Sequence, residues 1–378
     1  MIINGDCAFF DKTKGRAKDE PTMSKKVTLR DIADATGVTT ASVSMILNGK
    51  NLSRFTPELV SRVLDTARML QYTVPSARNK IRQIAVISPS VNNAYHTTIM
   101  MGIDRAALAS GYIAHIYNTY WNPNIELSIL NLLEQQRVSG IIYLMNPLQA
   151  KRAREIDRHI PIVAIGDIVN ELGIDTVDVN NFQAGQMVAE YLIGLGHRHI
   201  AYLTTSLNAH HISRVRRCEG LQDAFRRLCP EGSVSVYCKD NKYEQEIQSV
   251  TIEMDSGREL AYECIQNPNI TGIVAINDMV GYGVLDGLLE KGYRVPEDYS
   301  LCGFDNVFPS GFHRMELTTV DHSTQDHGAS AFHLLRGRME ERSEKQADYP
   351  ITRLEYRSRL IVRGSTAAPR KGARDGSV

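Results

Sequence analysis

Between Val27 and Tyr72, apolar residues recur at helical spacing in three short runs, each bounded by its own start and stop signals. Thr28 is placed to cap the first run, with Asp31 three residues on, and Leu29, Ile32 and Ala33 share one face before Gly37 ends it. Thr39 opens the second, whose stripe is Val43, Ile46 and Leu47, and Asn48-Gly49 stops it. The third begins at Thr56 with Pro57 in the first helical position, and Leu59, Val60, Val63, Leu64 and Ala67 line one side. Three short helices with a tight glycine turn between the first two predict a helix-turn-helix module.

The pattern then changes. Residues 72–82 are polar, basic and interrupted by Pro75, and they read as a linker. Beyond them, strand-sized β-branched runs at 84–87, 113–117, 141–144, 162–165, 176–179, 200–203, 234–237, 273–276 and 299–302 alternate with amphipathic stretches such as 98–110, 126–136, 184–195 and 280–289. Repeated βαβ units predict parallel, doubly wound sheets with helices on both faces. The segment is too long for one such sheet, so two α/β lobes are expected, with ligand in the cleft at the carboxyl ends of the strands. Residues 1–23 have no periodicity and read as a disordered extension, with Met23 an alternative start.

Length and composition add bounds. A chain of 378 residues predicts two to three domains, and 43% apolar with 23% charged residues is the profile of an ordinary globular protein. Forty-three basic residues balance forty-three acidic ones, which taken whole argues against nucleic-acid binding. Resolved by region, the balance is a cancellation. Residues 24–80 carry nine basic against four acidic side chains, net +5, residues 81–363 are net −7, and the residues from Gly364 onward are net +2. The positive charge sits on the helical module. Six cysteines without a CxxC pair read as reduced thiols of a cytoplasmic protein, and no apolar run reaches membrane-spanning length.

The second helix of a helix-turn-helix enters the major groove, so Thr40, Ala41 and Met45 are expected to face base edges and Ser42, Ser44 and Asn48 to suit phosphate contacts. Thr28, Leu29, Arg30, Thr39, Arg54 and Thr56 complete the expected DNA-facing set. A helical hairpin that binds protein is the alternative. Enzyme motifs are missing. The glycines at 194 and 196 follow a helix rather than a strand, and Gly281, Gly283 and Gly287 are misspaced for a dinucleotide loop. His197, His199, His210 and His211 lack a cysteine or carboxylate at zinc-ligand spacing.

The segment VTLRDIADATGVTTASVSMILNGK resembles the N-terminal signature of the lactose-repressor/galactose-repressor (LacI/GalR) family of transcription regulators. The likeness continues through Leu70-Gln71-Tyr72, Gly140-Ile141-Ile142, Gly196-His197-Arg198-His199-Ile200, Arg217-Cys218-Glu219-Gly220, Ile276-Asn277-Asp278, Val295-Pro296-Glu297-Asp298, Gly303-Phe304-Asp305-Asn306, Leu317-Thr318-Thr319-Val320 and Val362-Arg363-Gly364-Ser365. It implies an all-α helix-turn-helix headpiece, a hinge, and a two-lobed α/β core like a periplasmic sugar-binding protein. The implied division is extension 1–23, DNA-binding domain 24–73, hinge 74–83, one lobe from 84–180 with 320–350, the other from 181–319 with 351–363, and a flexible tail 364–378.

The resemblance further implies a cytoplasmic homodimer, without cofactor or catalysis, on a pseudo-palindromic double-stranded operator. A small effector between the lobes, a carbohydrate first and a purine second, or else a phosphoprotein partner, would set the balance between two states. Arg217 and Asp278 fall on the family's effector motifs, and a guanidinium fork with a carboxylate suits vicinal hydroxyls. Tyr95, Asp167, Phe304 and His322 are weaker candidates. Asp278 has the alternative role of capping a helix that starts at Met279, and Asp305 that of fixing a loop. A solute-binding protein or a sugar-acting enzyme are the competing classes. The first lacks an export signal here and the second a catalytic constellation.

Two departures change the expectation for DNA. The linker lacks the family's Ala-Arg-x-Leu stretch, which puts minor-groove kinking of the usual kind in question. Met45 stands where the family often carries arginine, which removes a bidentate guanine contact and leaves a thymine methyl as partner. Met45→Arg should therefore change the preferred base at one symmetric operator position in a binding-site selection. An unchanged preference would take Met45 off the reading face.

Overall fold

The computed structural model describes residues 27–70, 72, 82–167, 172–207, 211–240, 245, 249–341 and 350–370. The extension 1–23, hinge residues 74–81, His210 and tail residues 371–378 lie outside them. The chain forms two compact units, residues 1–80 and 81–378. In the first, helix α1 (Leu29–Thr36) starts in a capping box. The Asp31 carboxylate accepts from the Thr28 amide at 2.6 Å, and Thr28 Oγ1 accepts from the Asp31 amide at 3.4 Å. Gly37 ends it in the left-handed conformation at φ 70°. Helix α2 (Thr40–Leu47) is capped by Thr39 and α3 (Pro57–Met69) by Thr56, with Pro57 at its first position. Ile32, Val43 and Val63, one from each helix, are fully buried and meet in the module's core.

The second unit holds two six-stranded sheets. The first contains β1 (Arg82–Ser88), β2 (Tyr112–Asn118), β3 (Ile141–Tyr143), β4 (Ile162–Asp167), β5 (Asp175–Val179) and β11 (Arg353–Tyr356), ordered β11-β5-β4-β3-β1-β2 and parallel throughout. Helices α4 (Ala94–Ala109) and α11 (Thr324–Glu341) pack on one face, α5 (Pro123–Gln136) and α6 (Ala150–Asp157) on the other. The second contains β6 (His199–Thr205), β7 (Ser233–Lys239), β8 (Gly272–Ala275), β9 (Ser300–Phe304), β10 (Thr318–Asp321) and β12 (Arg359–Ile361), ordered β12-β10-β9-β8-β6-β7 with only β12 antiparallel. Helices α7 (Asn181–Leu195), α8 (Ile212–Leu228), α9 (Ile252–Cys264) and α10 (Asp278–Glu290) contribute to the core around it.

The chain passes between the sheets three times, after β5, after β10 and after β11. That corrects the expected boundaries. Residues 318–321 belong to the second sheet, so the return to the first lobe begins only at α11. Residues 353–356, expected in the second lobe, pair with β5 in the first. The buried Asp175 carboxylate holds them there, accepting from the Thr352 amide at 2.7 Å and from Arg338 at 2.5 Å, while the Tyr356 hydroxyl meets Ser330. Arg82 and Gln83, expected in the hinge, are the first residues of β1.

The expected flexible tail is fixed as far as Arg370. Ser365 is buried, its hydroxyl donating to the Leu301 carbonyl at 2.6 Å and accepting from the Thr318 amide at 2.8 Å. Ala367 N donates to Ser300 Oγ at 3.0 Å, and the Arg370 guanidinium lies 4.6 Å from the centre of the Tyr299 ring.

Three helix pairs approach backbone to backbone through reciprocal glycines. A Cβ on Gly185 of α7 would lie 2.2 Å from the Arg217 carbonyl of α8, and one on Gly220 of α8 would lie 2.0 Å from the Phe182 carbonyl of α7. Gly257 and Gly283 repeat the arrangement between α9 and α10, and Gly102 and Gly328 between α4 and α11. In each case the carbonyl met is three residues before the opposing glycine, the geometry of two helices crossing where neither has a side chain. Gly194, also in α7, has nothing within 4 Å. Gly185→Ala should cost about 1–3 kcal/mol through overpacking. Gly194→Ala should be neutral or stabilising by up to about 1 kcal/mol from helix propensity. Chemical denaturation of both variants checks this, and equal shifts would refute the crossing argument.

Candidate functional site

Both sheets present their strand ends to a common cleft. The first lobe supplies Asn146 beyond β3, Ile165 to Asp167 at the end of β4, and Asn93, Tyr95 and His96 around the start of α4. The second supplies Ile276 and Asn277 beyond β8, Asp305 beyond β9, Arg214 and Arg217 on α8, and Glu253 on α9. They surround about 770 Å³ of open space.

Arg217 is the most fully engaged side chain in the wall. Its Nε donates to Asn181 Oδ1 at 2.7 Å, Nη1 to the Ile276 carbonyl at 2.5 Å, and Nη2 to Asp305 Oδ1 at 3.3 Å. The guanidinium carbon lies 4.5 Å from the centre of the Phe304 ring, and Nη2 is 3.4 Å from His322 Nε2. Its pairing with a buried carboxylate and a carbonyl offsets what burial of the charge costs. Across the cleft, Glu253 joins the lobes. Its carboxylate accepts from Asn93 Nδ2 of the first lobe at 2.8 Å and from Asn277 Nδ2 of the second at 3.0 Å. The rings of Trp121 and His211 meet edge to face across the same divide, with centres 4.3 Å apart.

Of the residues expected at the ligand, Arg217, Tyr95 and Asp167 line the cleft, whereas Asp278, Phe304 and His322 stand behind its wall. Phe304 is the platform under Arg217, and His322 is held by the Ser358 hydroxyl at 2.8 Å. Asp278 is fully buried and accepts from Thr319 Oγ1 at 2.6 Å, Ser310 Oγ at 2.5 Å and the Val307 amide at 3.0 Å. It fastens the loop after β9. Nor does it cap its helix, because Asn277 Oδ1 accepts from the Val280 amide at 2.9 Å. Asp305, read as a loop-fixing residue, lines the cleft instead. Sequence reasoning passed over Asn93, Trp121, Arg214, Glu253 and Asn277. Of these only Asn277 lay in a motif already singled out, one residue before Asp278.

In the helical module, Thr40, Ala41, Asn48, Arg30, Arg54, Thr28, Thr39 and Thr56 are exposed, and Leu29, Ser42, Ser44 and Met45 are half-buried. The Asn48 side-chain amide donates to the Ser44 carbonyl one turn back at 2.7 Å. No helix among the described residues is long and apolar enough to cross a membrane.

Residues 82–359 match the family described as periplasmic binding proteins and sugar binding domain of the LacI family. Among curated proteins, the HTH-type transcriptional repressor PurR of Mannheimia succiniciproducens is 26% identical over 351 residues, covering 89% of this chain and 98% of its own. The catabolite control protein A of Priestia megaterium is 27% identical over 341 residues, covering 88% and 97%. A solved LacI-family transcriptional regulator from Silicibacter pomeroyi has the same fold, with a TM-score of 0.71 at 24% identity over 90% of this chain and 99% of that one.

Burial sets the protonation of the groups in and behind the wall. Desolvation lowers His96, and separately His327 on α11, to about 4, and holds His322 well below the usual imidazole range, so all three are neutral in the fold. Their contribution to stability is present above pH 6.5 and lost as the pH falls towards 4. Desolvation pushes Asp278 up to about 8 and Asp305 to about 6, with Arg217 opposing the rise at Asp305. A raised carboxyl contributes stability that is lost as the pH rises through its folded value. Of these two, Asp278 is the one still titrating between pH 6.5 and 8. The thermal midpoint should decline over that interval and the decline should flatten in Asp278→Asn; parallel curves for the two proteins would refute the assignment.

Proposed function

The chain belongs to the LacI family of transcriptional regulators, and from that premise we propose that it is a cytoplasmic, homodimeric repressor whose hold on a pseudo-palindromic operator is governed by a sugar bound between the core lobes. The observation that carries this reading is the cleft, whose wall takes charged and amide side chains from both lobes. A ligand that touches both walls binds the closed arrangement better than the open one, and only such a difference in affinity shifts a two-state balance. The three passages between the sheets, at about residues 180, 322 and 357, are where the angle between lobes is set.

For DNA, the reading face is the exposed side of α2, with Thr40 and Ala41 presented to base edges and Met45 at its margin. The net +5 on residues 24–80 supplies the phosphate attraction, while the net −7 of residues 81–363 disfavours DNA contact elsewhere. Two modules in a dimer match two half-sites, so a modest single affinity is multiplied through linkage. Catalysis has no part in this reading, which takes the charged and amide side chains of the wall as partners for hydroxyls.

Trp121 is the chain's only tryptophan and lines the cleft. Titration of the purified protein with a sugar panel should therefore change its intrinsic fluorescence, and a ligand that does so should release a selected operator fragment. DNA binding should be sequence-selective and fall steeply with salt. Binding that is indifferent to sequence or salt would defeat the DNA claim, and operator release without any fluorescence change would move the effector away from this cleft.

A further inference from the structure

Each of the three passages between the lobes is tied, directly or through one ring, to a single side chain of the cleft wall. The first passage ends at Asn181, in the opening turn of α7, and Asn181 Oδ1 accepts from Arg217 Nε at 2.7 Å. The second runs through His322, whose Nε2 lies 3.4 Å from Arg217 Nη2. The third runs through Ser358, and its hydroxyl is 2.8 Å from Nδ1 of the same imidazole. Arg217 thus touches the first two passages itself and the third by way of His322.

Chemistry fixes the direction of these bonds. A guanidinium has donors and no acceptor, so His322 Nε2 is the unprotonated nitrogen and accepts, and the proton on Nδ1 is donated to Ser358. Burial of the ring, only 1% exposed, keeps the imidazole neutral, which is the state this arrangement requires. The backbone on either side is tied as well. Asp321 pairs in register with Arg359 and accepts from its guanidinium at 2.8 Å, while the other carboxylate oxygen accepts from the Ser323 amide at 2.8 Å. Ser323 is left-handed at φ 55°, a conformation that a non-glycine residue keeps only when its surroundings impose it. The second and third passages are therefore one linked piece, and His322 is where that piece meets the wall.

At Nη2 the donor is shared. Asp305 Oδ1 at 3.3 Å and His322 Nε2 at 3.4 Å are both long partners of that nitrogen, so neither bond is at its optimum. Asp305 lines the cleft and His322 does not. From this geometry we propose, resting on the two-state reading above, that His322 is a positioning residue of the transition, which carries the engagement of Arg217 to the second and third passages and so sets the angle between the lobes. It touches no ligand itself. A hydroxyl that engages Asp305 weakens that carboxylate's hold on Nη2, the guanidinium turns towards His322, and the bond through the ring to Ser358 tightens. The linked passages are a discrete element that both the cleft and the lobe angle bias, as transmission between two sites requires.

The test uses the full chain with no ligand added. His322→Leu removes both ring nitrogens, and Ser358→Ala, at a half-buried position, removes only the arm to the third passage. His322→Gln restores one acceptor and one donor. His327→Phe is the control, because His327 is as deeply buried but neither of its ring nitrogens has a hydrogen-bond partner among the described residues. Acrylamide quenching of Trp121 reports the lobe angle, since its ring meets His211 across the divide and neither His322 nor Ser358 lines the cleft. Quenching should rise in His322→Leu and in Ser358→Ala and return towards the original value in His322→Gln. Affinity for the selected operator fragment should shift by about fivefold or more in the first two variants. His327→Phe should change thermal stability alone. Unchanged quenching in His322→Leu or Ser358→Ala overturns the proposal, as does an equal rise in His327→Phe. A glutamine variant no better than leucine assigns the ring a packing role and overturns it too. Raised quenching with unchanged operator affinity supports the link through His322 and overturns instead the reading that the lobe angle governs the operator.

Discussion

Close approach of helix backbones at six glycines fixes where the cleft's side chains begin. Gly185 meets the carbonyl of Arg217 itself, and Gly283 meets that of Met254, the residue after Glu253. Gly328 meets the carbonyl of Ile99, one turn along α4 from Tyr95. The helices bearing the guanidinium, the bridging carboxylate and the phenol are therefore each registered against a neighbour by main-chain contact. Main-chain contact varies less than side-chain packing, because it has no rotamers to relax. A slip of one residue at such a crossing would rotate the attached side chain out of the wall, so precision at the site originates a layer behind it.

With the helices fixed, the buried charges arrange themselves around Arg217. Its guanidinium is flanked by a carboxylate, two neutral acceptors and an aromatic face, and the nearby imidazole of His322 is kept neutral by the same burial and by the arginine's own charge. Asp278, behind the wall, has no cation in contact among the described residues and is instead satisfied by two hydroxyls and an amide, which is why burial drives its carboxyl towards the protonated form. Two aspartates on adjoining segments thus have opposite uses. Asp305 is charge in the cleft, and Asp278 is a polar rivet beneath it.

That difference marks the limit of what the sequence discloses. Caps and turns of the helical module were legible because Thr28, Gly37, Thr39, Thr56 and Pro57 act on their immediate neighbours. The alternation of strand and helix was legible because the inner strands are continuous β-branched runs. Which of two adjacent polar residues faces a ligand was not. Asn277 and Asp278 differ by about 100° around a helix start, and the choice between them is made by Thr319 and Ser310, some thirty to forty residues away. Strands β10, β11 and β12 escaped notice. All three are short, β10 an inner strand of four residues, and β11 and β12 are edge-placed, with positions set by Asp175 and by the Thr318 segment rather than by any period of their own. Glu253 and Trp121 carried no local signal, since an acidic first turn and a loop tryptophan have many uses. Only their convergence across the cleft distinguishes them.

The order of the strands has a consequence for how the protein is made. Strand β11 completes the first sheet and β12 the second, and Ser365, following both, ties down Leu301 and Thr318. A helical module ending near residue 70 has only local contacts to form and is free to fold while most of the chain is still being synthesised. Neither core lobe has all its strands until residues 353–361 have been synthesised. For most of its synthesis, therefore, the nascent chain carries a finished basic module ahead of an unfinished acidic core, and what is assembled last is the part that answers to a ligand.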